Sequence, residues 1–453
     1  MPSNRVIIDT DPGVDDVLAI LLALASRPEE VEVLLLSITF GNIDVQNCLR
    51  NVISMFHVIE KELRWRQNEG IPEGFEALRR LRPVVAVGAD GPLDDQRMMA
   101  DYFHGKDGLG GVHSSHPHHT PAEDIWKDLF KAPPSDTLLT SAAVQEVDID
   151  PTSRTSLFTP SHRPSHLEIL RILDENPPET ITIIAIGPLT NLALAASHAP
   201  TTVMRAKSIL VMGGTISVPG NMTPVAEFNT YADTVAAARL YALTSPNPAS
   251  TMPPSPPPAR SQLDNSKEEP PPPPFLPPYP SKQELGPRRL RVVLFPLDIT
   301  TPHYLRRDEV EAKVKPLIEK GSPLAEWTGA FLGSTFNKME TLEHGHEGGS
   351  AALSLHDPLC VWYALTAESQ REAWTVNEGE DVRVETSGQW TRGMCVVDRR
   401  DRKRREGDDG EGGEVPGDTG NWLSSARGNK LCRCIGTPGE RALAPFLLDR
   451  IFG

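Results

Sequence analysis

Val6-Ile7-Ile8-Asp9-Thr10-Asp11-Pro12-Gly13-Val14-Asp15-Asp16-Val17-Leu18-Ala19-Ile20-Leu21 is the stretch that decides the fold. Three apolar residues run into a polar loop. The loop runs into a segment with Val17, Ile20, Leu21 and Leu24 at the spacing of one helical face. Residues 32–39 (EVLLLSIT) form a continuous apolar run, as expected of a strand covered on both faces. Residues 44–59 return to helical spacing. A strand–loop–helix unit repeated twice at the start of a chain predicts a parallel sheet with helices on its faces.

The alternation continues. Strands are predicted at Val84–Val87, Thr180–Ile186, Ser208–Met212 and Arg291–Leu297, and helices at Leu189–Ser197, Thr234–Leu243 and Asp308–Glu319. The expected fold is therefore α/β, a single doubly wound, mostly parallel, Rossmann-like sheet. One domain over residues 1–395 is expected, with inserts at 114–165 and 245–290. The first insert is rich in His, Pro, Ser and Thr. In the second, 15 of the 35 residues from Pro246 to Pro280 are Pro, five of them consecutive at 270–274, a composition that cannot pack a core. A tolerated surface insertion accounts for it, since long loops cost little stability; a ligand for a proline-recognising module is the other reading. Residues 396–453 read as a low-complexity charged segment and a tail, opening with the run Asp398 to Glu406 (DRRDRKRRE).

The 453 residues carry a formal charge of -16, which disfavours sequence-independent binding to nucleic acid and suits a protein handling small molecules or cations. The five Cys are odd in number and scattered, so no disulfide framework is expected, and Cys432 and Cys434 lack the spacing of a zinc knuckle. No basic segment followed by a long apolar one opens the chain, and no run of about 18 apolar residues occurs, so neither a leader nor a membrane span is expected. The expected location is the cytoplasm; the basic run at 399–405 also admits the nucleus.

Four Asp fall within eight positions at the carboxyl end of the first strand, where ligands gather in parallel sheets. Carboxylates this close raise one another's pKa unless a cation holds them together. Oxygen-only donors favour a hard ion, Ca²⁺ or Mg²⁺. Helix capping explains one or two of the four, not all. A pair of Asp two apart after a first strand also occurs in Mg²⁺-dependent haloacid-dehalogenase-type phosphatases, where the first is a nucleophile.

The string DTDPGVDDVLAILLAL resembles the inosine-uridine-preferring nucleoside hydrolase family, and further blocks follow in that family's order. These are Thr39-Phe40-Gly41-Asn42, His104 to Gly110 (HGKDGLG), Ile186 to Asn191 (IGPLTN), Val211 to Gly214 (VMGG), Asn221 to Asn229 (NMTPVAEFN), Pro296 to Thr300 (PLDIT) and His356-Asp357-Pro358. The resemblance covers roughly residues 5–365 outside the inserts. It implies hydrolysis of the N-glycosidic bond of ribonucleosides, uridine and/or inosine, to ribose and free base. It implies one Ca²⁺ per site, held by Asp11, Asp16, Asp357 and the carbonyl of Ile186. Asp11 would also be the base that activates a water on the ion. Asp15, Asn42, Asn221, Glu227 and Asn229 would hold the ribose, with Phe228 packing on the sugar. His356 would serve the leaving base, and His104 is a second residue for the base side. A homo-oligomer, dimer or tetramer, is also implied. After AEFN the chain has Ala232-Asp233-Thr234 where the family often has a Pro, and Asp233 can still cap the helix. The alternatives are the phosphatase and a non-enzymatic binding protein that keeps the fold and recruits partners through its Pro-rich insert.

Overall fold

A computed structural model describes residues 4–93, 99–131, 157–253, 276–342, 351–402 and 417–453. Its strands are β1 Asn4–Thr10, β2 Val31–Ile38, β3 Val84–Val87, β4 Thr159–Pro160, β5 Ile181–Ala185, β6 Ser208–Met212, β7 Val292–Phe295, β8 Tyr304–Arg306, β9 Ala352–Ser354, β10 Thr375–Glu380, β11 Val382–Val384, β12 Cys395–Val397 and β13 Leu431–Gly436. Nine of them form one sheet in the order β10-β13-β7-β6-β5-β1-β2-β3-β4. Every pairing in it is parallel except that of β10 with β13. The chain leaves β1 toward β2, β3 and β4, then returns to the other side of β1 with β5. The order reverses there, and the crevice beyond the carboxyl ends of β1 and β5 is the expected ligand position in such sheets.

The continuous apolar strands are explained by two cores. Along β1, Val6 and Ile8 join one buried cluster and Ile7 the other. Along β5, Ile184 belongs to the first cluster and Ile181, Ile183 and Ala185 to the second. Each fully buried Ile or Leu contributes roughly 1.5–3 kcal/mol, which makes register on both faces costly to change.

Helix α1 (Val14–Leu24) follows β1 and is buried at every position. It packs against the helix His356–Thr366, which brings the late Asp357 to the first loop. Helix α2 (Val45–Glu69) is capped by Asp44, which accepts hydrogen bonds from the Gln46 and Asn47 N–H groups. It runs ten residues beyond the predicted end because Glu62 and Arg66 are buried as an i,i+4 ion pair at 2.7 Å, so a charged stretch here faces inward. Asp233 caps its helix as expected, accepting from the Ala236 N–H.

Three expectations are corrected. The tail from 396 is not an appendage: β13 pairs with β7 inside the sheet, and the helix Leu443–Phe452 buries Leu443, Leu447, Ile451 and Phe452 in the core. The charged stretch before it and the short alternation of LCRCIG hide this strand from a periodicity reading. The insert at 114–165 is folded in its described part, with short helical segments from Val112 to Phe130 and a buried Trp126; Phe158 stacks on Phe56. In the insert at 245–290, Tyr279 is buried beneath the Arg239 guanidinium and Leu285 lies in the core, while Pro270–Pro274 fall outside the described residues.

Glu30 ties the tail helix to the scaffold, accepting from both Arg450 and Arg27. Burial pushes this carboxyl up, and the two guanidinium partners overcome it, bringing it from 4.5 to about 2. A depressed folded pKa gives stability that is present above 4.5 and is lost as pH falls toward 2. Arg450→Met is expected to destabilise the chain by roughly 1–2 kcal/mol at neutral pH, after allowance for solvent screening. In thermal melts taken as a pH series, the gap between variant and parent should close between pH 4.5 and 2.

Candidate active site

The loop after β1 is held by its neighbours on the sheet. Asp9 Oδ1 accepts from Ser37 Oγ at 2.5 Å and from Asn191 Nδ2 at 2.9 Å. Asn191 also donates to Ile38 O, so the last residue of the GPLTN block locks β1 to β2. Burial raises Asp9 to about 7 against the effect of those hydrogen bonds. Thr10 Oγ1 donates to Asp16 Oδ1 at 2.7 Å, and the Gly13 N–H donates to Asp16 Oδ2 at 3.1 Å. The Asn42 N–H donates to Asp11 Oδ2 at 2.7 Å, and its side-chain amide donates to Asp11 O and Asp16 Oδ2. Asn42 therefore organises the loop, a role its sequence context did not suggest, as well as lining the cavity above it.

That cavity measures about 240 Å³. Its lining includes Asp15, Asn42, His104, Ile186, Asn221, Glu227, Phe228, Asn229, His356 and Asp357, which gathers the predicted site residues from six separate blocks of sequence. Asp11 and Asp16 lie beneath its floor, fully buried. Tyr102, Phe103, Met212, Met339 and Leu353 complete the walls. Sequence reasoning missed these: an apolar residue on a pocket wall carries the same signal as one in a core.

Asp15, Asp16 and Asp357 each offer a carboxylate oxygen within 4.8 Å of the others. The close trio therefore contains Asp15, where the expected ligand set had Asp11. Asp11 adjoins it, and its Oδ1 is buried without a hydrogen-bond partner. Burial first, and then Asp16, push the Asp11 carboxyl well above its ordinary value. Asp357 is raised well above its own by burial and by Asp15, Asp16 and Asp11. Burial and Asp16 raise Asp15 to about 7. An all-oxygen donor set, crowded negative charge and an unpartnered buried oxygen fit a hard divalent cation.

Around the cavity, Glu227 caps the helix Phe228–Ala232. Its oxygens accept from the Gly214, Asn229 and Thr230 N–H groups at 2.7–2.9 Å, and burial raises its pKa. Asn221 Oδ1 accepts from the Phe228 N–H, and Asn229 Nδ2 donates to Ile186 O at 3.3 Å. His104 Nδ1 accepts from the Val14 N–H at 3.3 Å. His356 Nδ1 is hydrogen-bonded to Thr300 Oγ1 at 2.7 Å. Burial lowers both imidazoles to about 4, for His104 with help from His356. Burial thus favours the neutral form of both rings, which suits them to hydrogen bonding.

The sequence profile of the inosine-uridine preferring nucleoside hydrolase family matches residues 6–263 and 281–414. The chain belongs to that family. It is a hydrolase acting on N-glycosyl bonds of nucleosides. The pyrimidine-specific ribonucleoside hydrolase RihA of Salmonella newport is 26% identical over 395 residues, 87% of this chain and 88% of that one. Uridine nucleosidase 1 of Arabidopsis thaliana is 31% identical over 238 residues, 52% of each. The solved purine-preferring ribonucleoside hydrolase of Gardnerella vaginalis shares the fold with a TM-score of 0.60 at 19% identity, covering 99% of this chain and 98% of that one. Among the described residues, no helix is long and apolar enough to cross a membrane.

Two glycines in the hydrolase make room for Asp11. A Cβ on Gly187 would stand 2.4 Å from Asp11 Oδ1, and one on Gly41 would stand 2.1 Å from Oδ2. Gly187→Ala is expected to displace the carboxylate and lower kcat/KM on nucleosides by about 100-fold, since a misplacement of about 1 Å costs that much. Circular dichroism should show a folded variant.

Proposed function

We propose that the chain hydrolyses uridine or inosine to ribose and free base, with Asp11 as general base and one Ca²⁺ in the site. The observation that carries this reading is the gathering of four carboxylates, Asp11 with an unpartnered oxygen among them, at the foot of a cavity lined by Asn221, Glu227, Asn229 and His356. The relatives named for uridine and for pyrimidine nucleosides support uridine as a substrate, and the family description supports inosine.

Asp11, Asp16, Asp357 and the Ile186 carbonyl would hold the ion, with Asp15 adjoining it. When bound, the ion would neutralise the crowded carboxylates and lower the pKa of water at the site. Asp11 accepts the proton of the water that attacks the anomeric carbon. Positive charge develops on the ribose as the C–N bond breaks, as in other glycoside hydrolyses, and the anionic floor stabilises it. Asp15, Asn42, Asn221, Glu227 and Asn229 orient the ribose hydroxyls while Phe228 packs on the sugar. His356, and beside it His104, hydrogen-bond the departing base. A cytoplasmic homo-oligomer, dimer or tetramer, completes the reading.

The phosphatase alternative needs a nucleophilic Asp at the start of the loop. Asp9 Oδ1 accepts from Ser37 and Asn191 and holds β1 to its neighbours, so it does not favour that reading.

The test is turnover of uridine, cytidine, inosine and adenosine by the full chain, with and without a strong chelator. Free base is expected from uridine or inosine, and chelation should abolish it until Ca²⁺ is restored. Asp11→Ala should lower kcat by about 10²- to 10⁴-fold. Full activity in that variant would remove Asp11 as the base. Phosphate release from a phosphomonoester, with no base released from nucleosides, would overturn the substrate class.

A further inference from the structure

A second group of side chains able to ligate a metal lies between the folded part of the first insert and the helix Pro323–Leu342. The sequence His113-Ser114-Ser115-His116-Pro117-His118-His119 has four His in seven positions, and the hydrolase site absorbs none of them. His113 is accounted for by hydrogen bonds to Asn51 and Thr120, both 2.6 Å. His118 and His119 both hydrogen-bond through Nε2 to one carboxylate, that of Glu326. They sit in the 3-10 turn Pro117–His119 with ring centroids 4.1 Å apart, and both face Glu326 in the first turn of the helix Pro323–Leu342. Each of the three offers a ligand atom within 4.8 Å of the other two. Their Nε2 atoms stand 3.3 and 2.9 Å from Glu326 Oε2, close to the spacing of about 3.3 Å between donors around a tetrahedral zinc ion.

His119 is 2% exposed, and its Nδ1 has no partner. Two imidazoles converge on one carboxylate oxygen. His118 and Glu326 are partly exposed, which leaves the convergence point open to an ion and to water. His116 stands beside the pair, its ring centroid 6.0 Å from that of His118. The main chain is fixed from below, where Lys61 of α2 donates to the His118 carbonyl at 2.5 Å.

We propose that His118, His119 and Glu326 form a second metal site, of zinc class, that fastens the insert to the helix Pro323–Leu342. Imidazole nitrogens with one carboxylate select a borderline transition ion over Ca²⁺, so the site differs in chemistry from the oxygen-only floor of the cavity. The fastened helix also carries Ser334, which donates to Gly110 O in the HGKDGLG segment, and Met339 on the cavity wall. The site therefore steadies one wall of the catalytic cavity without supplying a group to the reaction.

The experiment uses the tag-free full chain, with zinc content read by mass spectrometry, zinc affinity by calorimetry and coordination by the visible spectrum of the Co²⁺ form. About one zinc per chain is expected outside the catalytic cavity, with a rise in Tm on zinc addition. His118→Ala and Glu326→Gln, both changing partly exposed side chains, should each lower zinc affinity at least about 10-fold and remove the gain in Tm. Both should leave uridine turnover of the Ca²⁺-supplied enzyme within about twofold. Absence of bound zinc on the folded parent overturns the proposal. So does zinc affinity that is unchanged in both variants.

Discussion

Negative charge that cannot spread is the constraint on which the rest of the structure depends. Asp11 and Asp16 are fully buried, Asp15 and Asp357 nearly so; burial raises all four carboxyls, and repulsion from neighbouring carboxylates raises Asp11, Asp15 and Asp357 further. Such a group is stable only if the surroundings supply donors and positive charge. The donors are visible: the Gly13 and Asn42 N–H groups, Thr10 Oγ1 and the Asn42 amide. The remaining demand, expressed by the unpartnered Asp11 Oδ1, suits the loop to a cation.

The fold serves this constraint in a traceable way. The reversal of strand order at β1 opens a crevice, and glycines 41 and 187 let two chain segments close on Asp11 from either side. Asn191 and Ser37 hold Asp9, which keeps the loop in register with β2 and β5. The wholly buried α1 packs against the helix that starts at His356, and that packing delivers Asp357 across more than three hundred residues of chain. The capping of Phe228–Ala232 by Glu227 fixes the other rim.

Much of this was legible before any coordinates. The parallel sheet followed from the apolar runs of β1, β2 and β5, and the polar blocks Asn42, Asn221–Asn229 and His356-Asp357 all reached the cavity region. What was not legible had physical causes. The sheet strand β13 follows a charged stretch and carries Arg433 between its two Cys, so its burial left no continuous apolar run. The end of α2 carries an ion pair turned inward, which reads as a solvated surface. The walls Tyr102, Phe103 and Met339 look like ordinary core or surface residues.

By itself the sequence determined the kind of chemistry: four Asp within eight positions, oxygen donors that suit a hard ion, and a chain pattern that sets them at the carboxyl end of a strand. Residue type and local spacing carry that information because the repulsion Asp11 feels from Asp15 and Asp16 arises within one short stretch of chain. Only the tertiary structure decided which oxygens share one point, that Asn42 holds the loop together, that His356 bonds Thr300, and that His118 and His119 meet Glu326. These depend on distances and burial created by elements far apart in the chain, and on the loss of water around them, which no local pattern encodes.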